Sequence, residues 1–247
     1  MTLRAAGRLG WLAMAITAAL FDYFFDVFLN APKNLRAARA AWLHRAARAH
    51  LKIFGGSVRV SGEIPKSGLL VANHLSYLDI VVISSVAPAV FVSKAEVKSW
   101  PVFGRLAKLG GTIFIQRDRR LQVGAVNREI EAALDGGALA VVFPEGTSSD
   151  GATVLPFRAS LLEPALRGGY AIAIACLGYE LDDGEAKQEV CYWGDHAFFP
   201  HLLNLLGKKS IRATLRFGTF SSTTGDRKEL ATQLHAAVSE LRTQKAK

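Results

Sequence analysis

Cysteine is nearly absent from this 247-residue chain: Cys176 and Cys191 are the only two, too far apart for a Cys-x-x-Cys motif. A reduced, cytoplasmic-side location is the default expectation for such a sequence. Acidic residues are also in short supply, 21 against 30 Lys and Arg, leaving a formal charge of +9. That imbalance calls for an anionic partner: nucleic acid, an anionic membrane surface or a phosphorylated small molecule. Nucleic acid is set aside, because no recognition motif and no aromatic-basic interleaving is present. Also missing are an internal repeat, a low-complexity block and a linker marking a second catalytic domain. With half its residues hydrophobic, the chain has enough material for one α/β domain with a small appendage.

The basic excess is partly concentrated at the amino end, where residues 1–50 hold seven Lys or Arg and two Asp. Residues 11–29 are almost wholly apolar, broken by Asp22 and Asp26. The run could just cross a bilayer, but a carboxylate in mid-membrane is costly. Two carboxylates at i, i+4 form one polar stripe instead, which favours a helix lying in the membrane interface. A single spanning helix and a buried core helix are the alternatives. A cleaved signal peptide is disfavoured, because Phe21, Tyr23, Phe24 and Phe25 stand where small cleavage-site residues belong. From Pro32 a second helix is expected, with Leu35, Ala38, Trp42, Ala46 and Ala49 as a narrow apolar stripe. Lys33, Arg36, Arg39, Arg45, Arg48 and Lys52 cover its other face. Residues 1–54 therefore read as a membrane-docking helical hairpin suited to an anionic lipid surface, and residues 55–247 as the α/β domain.

Beyond residue 57, short apolar runs alternate with helical stretches. Strands are expected at 57–61, 68–73, 89–93, 111–116, 139–143, 171–178, 189–193 and 211–217. Helices are expected at 77–86, 94–107, 119–135, 158–167 and 226–243. The alternation predicts a mostly parallel, covered sheet, with the later strands as antiparallel edge additions.

Three constellations carry chemistry. The first is Asn73-His74-Leu75-Ser76-Tyr77-Leu78-Asp79, straight after an apolar strand. On one continuous helix, residues five apart point about 140° from each other. His74 must therefore sit in the strand-to-helix turn and Asp79 in the first helical turn, where a carboxylate also suits the helix dipole. A carboxylate holding one imidazole nitrogen frees the other to take a proton, the logic of a general base. No Gly-x-Ser-x-Gly motif accompanies the pair and neither cysteine lies near, so the substrate's own hydroxyl is the expected nucleophile. A two-ligand metal site is the weaker reading, since no further cluster has ligand-like spacing. The second constellation, Gly111-Thr112-Ile113-Phe114-Ile115-Gln116-Arg117, delivers an arginine at a strand end, a fork of donors for phosphate or carboxylate. The third, Phe143-Pro144-Glu145-Gly146-Thr147-Ser148, is a glycine and hydroxyl loop able to cradle an anion. Glu145 either holds a substrate hydroxyl or braces the loop, and Arg158 offers a second cation.

These residues resemble the glycerolipid acyltransferases, most closely the 1-acyl-sn-glycerol-3-phosphate (lysophosphatidic acid) acyltransferase type. The resemblance rests on Asn73, His74 and Asp79, on Gly111, Phe114, Ile115 and Arg117, and on Phe143 to Thr147. Ser93-Lys94-Ala95-Glu96, Trp100-Pro101 with Gly104, Tyr192-Trp193-Gly194-Asp195 and the later His201-Leu202 are similar to other segments of that family. The resemblance implies acyl transfer from acyl-CoA or acyl-carrier protein to a lysolipid hydroxyl, with no further cofactor. It makes His74 the base and Asp79 its orienting partner. It gives the acceptor's head group to Arg117 and the Glu145-Gly146-Thr147 loop; with Asn73, Ser76, Gly111, Ser148 and Arg158 these are the expected substrate-binding residues. It implies an enzyme on the cytoplasmic face of the membrane, peripheral or monotopic. The leading expected acceptor is 1-acyl-sn-glycerol 3-phosphate, giving phosphatidic acid. Many phosphatidate-forming members carry an arginine after Gly-Thr, whereas Ser148 stands here; this version is similar to relatives that acylate other lysolipids, including lyso-ornithine lipids. The fourth motif's proline is also missing from Tyr170 to Cys176. A catalytically silent lipid-binding membrane protein is the alternative from another class.

Overall fold

A computed structural model describes residues 2–116, 120–221 and 225–244, residues 120–123 by their backbone alone. Helix α1 (Leu3–Tyr23) runs on into a π-helical turn at Phe24–Leu29, and α2 (Leu35–Ile53) folds back beside it. Thr2 and Asn34 cap the two helices by accepting from the backbone N–H groups of Ala5 and Ala37. Trp42 locks the pair. It is 1% exposed, donates Nε1–H to the Ala19 carbonyl at 2.7 Å and takes Tyr23 edge-on. The buried face of α2 is Ala40, Trp42, Ala47, His50 and Leu51, whereas Leu35 and Ala49 of the expected stripe are exposed. The stripe shifts because α2 packs against a helix of the domain as well as against α1.

The domain begins with β1 (Gly56–Ser61), β2 (Gly68–Ala72), α3 (Leu78–Val86) and β3 (Val90–Lys94). A 3₁₀ turn (Ala95–Ser99) leads to α4 (Phe103–Leu109), β4 (Ile113–Ile115), α5 (Arg120–Asp135) and β5 (Leu139–Val142). Then come α6 (Glu163–Gly168), β6 (Ile172–Leu181), α7 (Ala186–Glu189), α8 (Phe198–Gly207), β7 (Ile211–Phe220) and α9 (Arg227–Thr243).

Among the described residues, seven strands form one sheet in the order β1-β7-β6-β2-β5-β3-β4. The run from β6 to β4 is parallel, β7 is antiparallel to β6, and β1 is parallel to β7. Every residue of β2 and β5 is buried, as helices on both faces require. Leu70, Ala72 and Val141 pack towards α1, α2, α3 and α8, while Leu69, Val71, Ala140 and Val142 pack towards α5, α6 and α9. The carboxyl ends of β2, β5 and β3 are thus neighbours, the place where open α/β sheets hold ligands.

The expected helix 158–167 is a 3₁₀ turn at Ala159–Leu161 followed by α6, and other elements differ as well. Residues 189–193 are not a strand: Val190 and Cys191 both donate their N–H to Ala186, closing α7, and Tyr192 donates to Leu75. Helix 94–107 is broken around Trp100-Pro101, because proline lacks the N–H a helix needs and restrains the residue before it. Strand 111–116 shortens to β4, since Gly111 turns through φ +79. Helix α8 was not expected, although Leu202, Leu205 and Leu206 recur at helical spacing and are buried.

Candidate active site

The loop between β2 and α3 turns on one carboxylate. Asp79, with no exposed surface, lies in the first turn of α3. Its Oδ2 accepts from His74 Nδ1 at 2.7 Å and from the backbone N–H groups of Leu75 at 2.7 Å and Ser76 at 3.0 Å. Its Oδ1 accepts from the Tyr179 hydroxyl at 2.6 Å. Four donors make burial of the charge tolerable. The carboxylate also assigns the ring hydrogen of His74 to Nδ1, leaving Nε2 as an acceptor. Phe143 stacks on the imidazole, with centroids 4.3 Å apart, and fixes its plane.

Glu145 braces this loop from behind. It is buried, accepting from His74 N–H at 2.8 Å and Leu155 N–H at 3.3 Å. Burial pushes its carboxyl up to about 7 against those two hydrogen bonds, and the charge of Asp79 adds to the rise. Of the two sequence alternatives, the geometry gives Glu145 the loop rather than a substrate hydroxyl. Ser149 N–H and Tyr192 N–H close the same loop onto the carbonyls of His74 and Leu75, at 2.9 and 2.7 Å.

A cavity of about 310 Å³ opens beside His74. Gly146, Thr147 and Ser148 form one wall, Tyr192 and Trp193 another, and Tyr77 with Trp100 a third; Lys94 reaches it from the end of β3. Ser148 donates its hydroxyl to the Tyr192 carbonyl and so joins two walls. Behind Tyr77, His201 Nδ1 shares a hydrogen bond with the Tyr77 hydroxyl at 2.9 Å. Burial, then the neighbouring His196, depress His201 to about 4, so the imidazole stays neutral.

The structure therefore gathers His74, Asp79, Glu145, Gly146, Thr147 and Ser148. It corrects the expected substrate contacts of Asn73 and Ser76, which lie behind the cavity wall. The Asn73 amide exchanges two hydrogen bonds with the Leu177 backbone, at 3.1 and 2.7 Å, tying β2 to β6. Ser76 is fully buried and lends its N–H to Asp79. Gly111 lines a different groove, and the exposed Arg158 lines neither. Arg117 lies outside the described residues. Tyr179 was missed, being 100 residues from Asp79 in sequence with no local motif around it.

A family model described as Acyltransferase matches residues 57–180. The lyso-ornithine lipid O-acyltransferase of Pseudomonas aeruginosa is 35% identical, over 96% of this chain and 92% of its own. The 1-acyl-sn-glycerol-3-phosphate acyltransferase of Neisseria gonorrhoeae is 36% identical, over 65% of this chain and 63% of its own. The crystal structure of the 1-acyl-sn-glycerophosphate acyltransferase PlsC from Thermotoga maritima superposes with a TM-score of 0.56, over 99% of this chain and 100% of its own, at 20% identity.

Proposed function

The chain belongs to the Acyltransferase family, and from that premise we propose that it acylates the free hydroxyl of a lysolipid with His74 as general base. The observation that carries this is the His74–Asp79 pair at 2.7 Å, facing a cavity with no protein nucleophile motif beside it. His74 Nε2 takes the proton of the acceptor hydroxyl as its oxygen attacks the thioester carbonyl of acyl-CoA or acyl-carrier protein. The tetrahedral intermediate collapses with cleavage of the C–S bond, and the imidazolium returns the proton to the departing thiolate. Asp79 holds Nδ1–H throughout and stabilises the imidazolium.

For the acceptor, lyso-ornithine lipid is favoured. Ser148 puts a committed hydroxyl, not a cation, in the cavity wall, and the Pseudomonas relative is similar over nearly the whole chain. Lysophosphatidate is the second reading, supported by Lys94 in the cavity and by the Neisseria relative.

The acceptor is met at the membrane. Leu3–Leu29 is long and apolar enough to cross a bilayer, with 17% of its most apolar window buried. Yet Arg8 donates to the carbonyls of Phe54, Leu206 and Lys208, and Arg4 to that of Gly207, pinning the start of α1 along the domain. A helix so pinned suits the interface on the cytoplasmic side better than a span.

The test is His74→Ala, assayed with lyso-ornithine lipid and lysophosphatidate against both donors. A loss of about 10²–10⁴-fold is expected with the acceptor that wild type uses. An undiminished rate removes His74 from the mechanism, whereas a wild type silent with every acceptor and donor leaves the lipid-binding alternative standing.

A further inference from the structure

We propose that a groove along β4, separate from the His74 cavity, binds the phosphate headgroups of anionic membrane lipids. The proposal deepens, and rests on, the membrane reading above. Strand β4 is the outer strand of the sheet, and the groove beside it measures about 530 Å³. Four cations line it: Arg36 and Arg39 from α2, Lys98 from the turn after β3 and Lys108 from α4. Among the described residues Glu129 is the acidic one there, so their positive charge exceeds the negative by three.

Among the described residues, three of the cations have contacts that leave their charge in place. Arg39 Nε donates to the Tyr23 hydroxyl at 3.2 Å, and Lys98 Nζ sits 4.9 Å from the centre of the Phe114 ring. Arg36 points a guanidinium N–H at the backbone carbonyl of Glu129 at 3.5 Å. Among the described residues no carboxylate forms an ion pair with any of the four. Gly111 lines the same groove, and a Cβ added there would stand 3.5 Å from Arg39 Cδ. Its φ of +79 is one that glycine adopts freely.

The surroundings select a lipid over a soluble polyanion. Leu35, 42% exposed, lines the groove itself. Tyr23, which holds Arg39, is followed at once by the exposed Phe24, Phe25, Phe28 and Leu29. An exposed leucine thus lines the groove among the cations, and the exposed aromatic run begins one residue after the tyrosine that holds Arg39, the arrangement an anionic bilayer surface rewards. A water-soluble polyanion gains nothing from that apolar rim.

The test uses the full chain and vesicles of phosphatidylcholine with and without phosphatidylglycerol. The double variant Lys98→Gln/Lys108→Gln removes two groove charges that lie off the docking hairpin. The control, Arg59→Gln/Lys228→Gln, removes two exposed charges, one of them on β1 at the opposite edge of the sheet. All four side chains are exposed, so both variants should melt with wild type. The groove pair should weaken binding to phosphatidylglycerol vesicles about tenfold and the control less than about twofold, with binding to pure phosphatidylcholine unchanged in both. Equal losses in the two variants would overturn the proposal in favour of diffuse charge. So would an intact phosphatidylglycerol preference with a raised KM for acyl-CoA, which assigns the groove to the donor's phosphates. If wild type binds neither vesicle, the membrane reading itself fails.

Discussion

Tyr179 donates its hydroxyl to Asp79 Oδ1, the oxygen that His74 does not use. The acid is thereby gripped on both sides. Burial first, and the charge of Asp79 second, hold the Tyr179 hydroxyl well above its ordinary range, so it remains a donor at any working pH.

Tyr179→Phe should lower kcat by about five- to tenfold, the cost of leaving one charged acceptor unsatisfied. Asp79→Asn should cost far more, because an amide can present the wrong partner to Nδ1. The decisive comparison is the double variant. If Tyr179 acts through Asp79, adding Tyr179→Phe to Asp79→Asn changes kcat by less than about twofold. Additive losses would give Tyr179 an independent role.

Glu145 makes stability depend on pH. Its folded carboxyl titrates near 7 against an unperturbed 4.5, so the fold favours its protonated form. That contribution is complete below about 4.5 and is lost as pH rises through about 7, amounting to at most on the order of 3 kcal/mol. Glu145→Gln should flatten this part of the stability profile. It should also lower stability by about 1–3 kcal/mol, since one of the two backbone N–H groups then faces an amide N–H. Urea denaturation between pH 4 and pH 8 checks both effects; an unchanged slope would refute the assignment.

The hairpin offers a contrast between burial and charge. Trp42→Ala should cost about 3–5 kcal/mol, because the ring is fully enclosed and its N–H bond to Ala19 is lost. Arg45→Ala should cost less than about 1 kcal/mol although it breaks two ion pairs, since Arg45, Asp22 and Asp26 are all well exposed. Melting of the two variants in neutral detergent decides which interaction holds α1 to α2.

Ser148→Ala cuts the tie between two walls of the cavity without touching His74 or Asp79. The acceptor KM should rise about three- to tenfold while kcat stays within about twofold, the pattern of lost uniform binding. A fall in kcat at constant KM would place Ser148 nearer the reacting atoms.

What the sequence could reveal followed chain proximity. His74 and Asp79 are five residues apart, so helical geometry alone could pair them. The buried runs of β2 and β5 were legible because strands covered on both faces are apolar at every position. Val190 and Cys191 misled for the same reason: a short apolar run does not say whether a ladder or a packed loop buries it. The amide of Asn73 and the hydroxyl of Ser76 looked like substrate contacts beside a catalytic histidine. The Asn73 amide is committed to Leu177 across the sheet, and the Ser76 hydroxyl is buried with no hydrogen-bond partner among the described residues; both facts are tertiary. Tyr179 was beyond reach, because only the pairing of β6 with β2 carries it towards Asp79.

The clamps on the His74 loop also set an order of events as the chain is made. The docking helices end at Ile53, whereas the loop's partners lie at Glu145, Ser149, Tyr179 and Tyr192. During synthesis from the amino end, the apolar helix α1 and its partner α2 emerge first, and the last clamp arrives almost 140 residues later. We predict that nascent chains stalled with Tyr192 still inside the ribosome pellet with vesicles yet transfer no acyl groups; activity in such chains would refute this. Under the proposed function, the protein reaches its lipid before it is able to modify it.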